Sequence, residues 1–347
     1  MEKKRHLIRV LVLLIVFLLV GCKGKKQEDS GPSATISGSD GISMSFMKIV
    51  SDKVYSNAQM RVGVEVENEG TCDMGRYADG TYDCVGHIKM LGLDPTIFHI
   101  PDWDNGGRVA TQVELGRSVF LPGKSNNIPT GGKEIITYPG ITVQLNPESA
   151  GHKTNLALHA CYLYKTRATI PVCIDPLAYG DFLGEKVCDV KPITLKDQGA
   201  PVAVVKVDPE VFLGSGNQYQ MQFRIYFKNV GPGMLFQADR DGAENENLEA
   251  CPAIDYDYQN KVKVDRIVLG SVVNPELSIP LICQPGISDQ ITLYDNQGLI
   301  ICQTNGDLGQ DTYQTTLFVE LSYGYTQSIK KQITVVNTPT LQRANLN

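Results

Sequence analysis

Two stretches of this chain, MRVGVEVENEG from Met60 and MQFRIYFKNVG from Met221, share one apolar alternation and one ending, 161 residues apart. Met60, Val62, Val64 and Val66 correspond to Met221, Phe223, Ile225 and Phe227, and Asn68 and Gly70 to Asn229 and Gly231. Strict alternation marks a strand with one buried face. The Asn-x-Gly at each end reads as turn chemistry, since both residues tolerate positive φ. The same offset returns later: LALHACYLY from Leu156 matches LFVELSYGY from Leu317, placing Tyr162 and Tyr164 on Tyr323 and Tyr325. Val172 and Ile174 then fall on Ile333 and Val335, after what reads as a short polar turn in both. Between these landmarks Leu91-Gly92 and Leu269-Gly270 are displaced by 17 residues, so loops have changed length. The chain is a duplication.

Each copy holds several short alternating stretches separated by Gly, Pro, Asn and Asp, without a convincing 3.6-residue period. That pattern predicts an all-β protein of two tandem immunoglobulin-like antiparallel β-sandwiches. The expected layout is a signal peptide over 1–21, a lipid-anchored flexible linker over 22–41, and sandwiches over 42–196 and 202–338. The turn cluster KDQGAPV, Lys196 to Val202, divides the two.

Alternation ending in Asn-x-Gly near the start of a sandwich resembles the cell-adhesion-related domain of bacteria and archaea, an immunoglobulin-like module. The segments GISMSF, VENEG, CYLYKTRATIPVCIDP and QGAPVAVVKV also look like surface lipoproteins of small-genome archaea. The likeness spans most of residues 40–338. It implies a surface module without catalysis and carries no catalytic residues to transfer.

The N-terminus constrains location. Basic MEKKRHLIR precedes an apolar run from Val10 to Gly21. That run is shorter than the roughly 20 residues a spanning helix needs, and it reads as a secretory signal. Leu19-Val20-Gly21-Cys22 resembles the lipobox of prokaryotic lipoproteins, which makes Cys22 the expected lipid anchor. The polar stretch from Lys23 to Gly41 reads as a tether. Without residues 1–21 the chain keeps 28 basic against 37 acidic side chains. That balance argues against nucleic acid as a partner, because its phosphates require a basic face. The expected location is extracytoplasmic, membrane-anchored at the cell surface or envelope.

Eight further cysteines stand at 72, 84, 161, 173, 188, 251, 283 and 302. An even number in an exported chain favours disulfides, and their wide spacing lacks the knuckles of a zinc ribbon. Cys72 and Cys84 bracket a polar loop. Cys161 and Cys173 lie symmetrically about Arg167, the middle of an expected hairpin turn, and Cys283 and Cys302 lie on successive strands. That ranking leaves Cys188 with Cys251 as a bridge between copies.

Three loops are candidate contact sites. Trp103 sits between Asp102 and Asp104, which suits stacking on a sugar ring or help in holding Ca2+. Arg76, Tyr77, Asp79 and Tyr82 occupy the loop between Cys72 and Cys84, a mix common at contacts. Asp239, Asp241 and Glu244 form a weak Ca2+ candidate without the spacing of an EF-hand. His87 and His159 adjoin apolar strand positions and read as structural. No HExxH, GxSxG or phosphate-binding loop occurs. The expectation is a non-catalytic binding, adhesion or structural module with no cofactor. It would engage the membrane through its N-terminus and an envelope protein or glycan through its loops. The alternatives are a solute- or glycan-binding lipoprotein and, behind it, an envelope glycan-processing enzyme.

Overall fold

The computed structural model describes residues 38–75, 83–100, 112–116, 118–178, 186–214, 218–238, 246–306 and 308–337. All of them lie in one compact unit, Ile36–Asn347. The first copy supplies β1 (Ile42–Phe46), β2 (Lys53–Tyr55), β3 (Gln59–Met60), β4 (Gly63–Asn68) and β5 (Val85–Leu91). It continues through β6 (Phe98–His99), β7 (Gln112–Leu115), β8 (Lys133–Thr137), β9 (Ile141–Val143) and β10 (His152–Ile174). After β11 (Ile193–Thr194) the second copy supplies β12 (Val202–Leu213), β13 (Tyr219–Asn229), β14 (Met234–Phe236) and the short helix α1 (Glu246–Ala250). It ends with β15 (Lys261–Gly270), β16 (Ser278–Ile279), β17 (Leu281–Gln284), β18 (Gln290–Thr292), β19 (Gln297–Thr304) and β20 (Tyr313–Val336). The protein is all-β, as its alternation requires.

The repeat motif is one strand in the second copy, whereas in the first it breaks at 61–62, so that Met60 lies in β3 and Val64 and Val66 in β4 of a different sheet. In β4, Val64 and Val66 are fully buried, and in β13 so are Phe223, Ile225 and Phe227. The first copy builds two three-stranded sheets, β1-β4-β8 and, from shorter strands, β3-β9-β6. The second copy builds a five-stranded sheet, β11-β12-β13-β19-β17.

The remaining strands from both copies form one sheet of nine, with the path β16-β15-β20-β10-β5-β7. At its centre β10 and β20 pair antiparallel from His152↔Val335 to Ile174↔Tyr313. At ~3.3 Å per residue each long strand runs for ~75 Å. The duplicated strands therefore pair with each other. Leu163 faces Gly324, Tyr162 faces Tyr325 and Tyr164 faces Tyr323, so a local two-fold relation passes through Leu163 and Gly324. The first half of β10 pairs with β5 of its own copy, and its second half lies beside the part of β20 that β15 flanks. Each copy's sheet is completed by half of the other copy's long strand.

This pairing corrects two expectations. No turn forms at Arg167 or after Tyr325, where both strands run straight on. The stretch Lys165-Thr166-Arg167-Ala168 lacks Gly, Asn and Pro, and its side chains are engaged along the strand. Thr166 Oγ1 donates to Val202 O at 2.6 Å, and Arg167 donates to both Asp83 oxygens at 3.1 and 2.6 Å and to Glu320 at 3.3 Å. With β10 extended, Cys161 and Cys173 cannot meet. The disulfides are Cys72–Cys84, Cys161–Cys251, Cys173–Cys188 and Cys283–Cys302. A bridge between copies exists, but Cys161 makes it with Cys251, and Cys188 closes a short loop with Cys173. Four disulfides indicate an oxidising, extracytoplasmic environment.

One contiguous apolar core runs from Ile42 to Val335 through both copies. Among the described residues no helix is long and apolar enough to cross a membrane.

Candidate functional site

The copies meet around four tyrosines that the repeat had already aligned. Tyr162, Tyr164, Tyr323 and Tyr325 are buried, with ring centroids 5.7 Å apart for Tyr162–Tyr164 and Tyr162–Tyr325 and 6.5 Å for Tyr164–Tyr323. Tyr164 Oη accepts from the Cys72 N–H at 3.1 Å and donates to Asn68 Oδ1 at 3.3 Å. One repeat later, Tyr325 Oη accepts from the Gly233 N–H at 2.6 Å and donates to Asn229 Oδ1 at 3.4 Å. Tyr162 and Tyr323 accept from the Ile42 and Val202 N–H groups at 3.3 and 3.2 Å.

The Asn-x-Gly motif does turn the chain in the first copy, where the Gly70 N–H donates to Asn68 Oδ1 at 3.2 Å, but positive φ is not its reason. None of its residues has positive φ. The asparagines are clamps: Asn68 Nδ2 also donates to Cys72 O and Leu121 O at 2.7 and 2.9 Å, and Asn229 Nδ2 to Gly233 O at 3.0 Å. The glycines make room, since a Cβ on Gly70 would sit 1.9 Å from Tyr164 Oη and one on Gly231 2.5 Å from Tyr325 Oη. Burial raises the hydroxyl pKa of all four rings, so they remain neutral donors. These residues are scaffold for what lies beside them.

Beside the tetrad, a cavity of about 550 Å³ opens between the copies. Its walls include Asp40 just ahead of β1, Met44 and His159 from the first copy, and Met234, Pro252 and Ile329 from the second. Its volume lies within the range of small-ligand pockets. The pKa of Asp40 is raised by burial and then by the Glu69 carboxylate, against the pull of Lys124. That of His159 is lowered by burial and then by Lys330. Met44, Met234, Pro252 and Ile329 give the lining its apolar part.

One wall of the cavity is an unfilled sheet edge. On the side of β20 away from β10, β15 covers Leu317–Ser322, β14 covers Gly324–Thr326 and β2 covers Thr334–Val336. Between Gln327 and Ile333 no second strand lies alongside among the described residues.

Below the cavity, α1 is tied to the sheet by the Cys161–Cys251 bridge. Lys89 Nζ donates to Glu249 O and Cys251 O at 2.7 and 2.8 Å, a cation placed where helix carbonyls lack partners. His87, opposite Cys161 in the ladder, is 3% exposed and its Nε2 has no hydrogen-bond partner. Burial, then Lys89, lowers its pKa to about 4, opposed by Glu114 and by a hydrogen bond with the Cys251 backbone.

Of the residues singled out from sequence, the eight cysteines are all bridged, and His87 and His159 sit on β5 and β10. Cys22, Arg76, Tyr77, Asp79, Tyr82, Asp102, Trp103, Asp104, Asp239, Asp241 and Glu244 lie outside the described residues. Among the described residues no three His, Cys, Asp or Glu side chains gather as a metal-holding group. The cavity and the open edge escaped sequence reading because β1, β14, β10 and β20 converge only after folding. The offset linking Asn68, Gly70, Tyr162 and Tyr164 to their second set was the one signal that could have pointed there.

No protein-family model matches the chain, and no curated protein is similar to it.

Proposed function

We propose that this chain is a non-catalytic surface module. It would be held at the membrane by a lipid on Cys22 and would bind or organise an envelope protein or glycan. Two immunoglobulin-like copies, each completed by the other's long strand, would form the frame. The observation that carries this reading is the cavity of about 550 Å³ between the copies, walled by residues of both beside the buried tyrosines. A duplication joined through one sheet and one disulfide holds such a site more rigidly than two modules on a linker, and rigid scaffolds suit recognition.

The test is covalent cross-linking on intact native cells, with partners identified by mass spectrometry. Recurrent links from residues around Met44, Met234 and Pro252 to one envelope component support the reading. Links scattered over the whole surface, with none near the cavity, count against it.

A further inference from the structure

The open stretch of β20 is a slot rather than a general sheet edge. It covers Gln327 to Ile333, about 23 Å at the usual rise, and it is bounded by Met234↔Thr326 at one end and Lys53↔Thr334 at the other. Thr334 turns its N–H outward to Asp52 O at 2.9 Å. Because strand backbone groups alternate in direction, Ser328, Lys330 and Gln332 present their N–H and C=O groups on the same side. No hydrogen bond from the described residues occupies them on that side. The side chains of these three residues are exposed.

The duplication supplies an internal comparison. The stretch of β10 one repeat earlier, Thr166 to Val172, also lacks a second strand among the described residues. There, Pro171 stands where β20 has Gln332, and proline has no N–H to offer. Proline is a common device for blunting an edge. Arg167, equivalent to Ser328, is engaged by Asp83 and Glu320. One copy's edge lacks a donor, and the other keeps a full set of donors and acceptors beginning beside the cavity.

The occupant follows from shape and charge. The bounding strands β14 and β2 leave room for a single extended segment and obstruct the edge of a second folded sheet. Antiparallel self-pairing centred on the slot would bring Lys330 against Lys330 of a second copy, and opposed like charges destabilise a ladder. Lys331 is paired to Asp52 at 2.6 Å, while Lys330 is exposed. At the β14 end, Gln327, Ser328 and Ile329 line the cavity together with Met44 and Met234.

We infer that β20 receives an extended peptide segment of a partner protein as an added strand. The segment would place an acidic residue near Lys330 and an apolar side chain in the cavity between Met44 and Met234. Main-chain hydrogen bonds would supply affinity, and the cavity and Lys330 would supply selectivity, as in strand-addition recognition generally. This deepens the surface-module reading and rests on it.

The test is selection of a random twelve-residue display library against the full chain with its disulfides formed, in parallel with Gln332→Pro and Lys330→Glu. Gln332→Pro copies the proline already present at 171, and its thermal midpoint serves as the folding control. Lys330→Glu is an exposed change that leaves the backbone intact. The expected result is a pool carrying an acidic and an apolar residue. Its synthetic consensus should bind roughly tenfold or more weakly to each variant, and it should slow amide exchange at Ser328, Lys330 and Gln332. No enrichment over Gln332→Pro, peptides that ignore both variants, or a wild-type dimer protecting the same amides would each overturn the inference. If the edge fails while cavity-centred cross-links on cells persist, the surface-module reading stands alone. If those cross-links are absent, that reading falls whatever the peptides do.

Discussion

At the scale of single residues, the interface between copies is polar chemistry inside an apolar core. Tyr164 holds the Cys72 N–H and Asn68 through one hydroxyl. Tyr164→Phe leaves both without that partner, and an unsatisfied buried group costs about 1–3 kcal/mol. Tyr325→Phe should behave alike, since it strips Gly233 and Asn229 in the same way; equilibrium denaturation of the two variants checks this. His87 makes a pH prediction. Its folded pKa is about 4, below the ordinary 6.5, so the unfolded chain takes up the proton first as pH falls. Stability should hold above about pH 6.5 and decline between there and about pH 4, by about 3 kcal/mol from this group. His87→Gln should flatten that part of the curve, and denaturant midpoints across pH would show it.

At the scale of elements, α1 depends on the sheet more than on itself. Five residues are too few for a stable helix in water. Leu248 and Cys251 pack with Phe236 and Cys161 in a small separate cluster, and Lys89 holds the last carbonyls. Replacing Cys161 and Cys251 together by Ala opens a loop with a sequence separation of 90, which chain entropy values at up to about 4.6 kcal/mol. The measured expectation is early loss of amide protection over residues 246–253, with the β10–β20 ladder still protected. Equal loss along β10 would show that the bridge supports the sheet itself. Cys251 as the partner of Cys161 was hidden from the sequence, because spacing alone cannot say which strand runs straight. Cys72–Cys84 and Cys283–Cys302 were legible because both members of each pair lie on adjoining segments.

At the scale of the whole molecule, the exchange of long strands makes the copies interdependent. Residues 202–338 alone keep β15 beside the first half of β20 but lose β10 from the other side. The isolated second copy should therefore remain largely unfolded by circular dichroism. The full chain should melt in one calorimetric transition, with enthalpy matching its van't Hoff value. Two resolved transitions, or a folded isolated copy, would show that each half stands alone.

The alternation of Val64 to Asn68 and of Met221 to Phe227 determined by itself that these are strands with one buried face, because side-chain direction along a strand is local geometry, whereas the break that puts Met60 in a separate sheet was set by packing. The 161-residue offset likewise revealed the duplication, and the cysteine count foretold an oxidised body. Only the tertiary structure decided that β10 and β20 choose each other as neighbours, that Asn68 and Gly70 serve a tyrosine as well as a turn, and that Gln332 keeps an edge donor that Pro171 lacks. A residue's pattern reports which face is buried. It does not report which distant strand, hydroxyl or sulfur will lie against it, because those contacts are set by the packing of the whole chain.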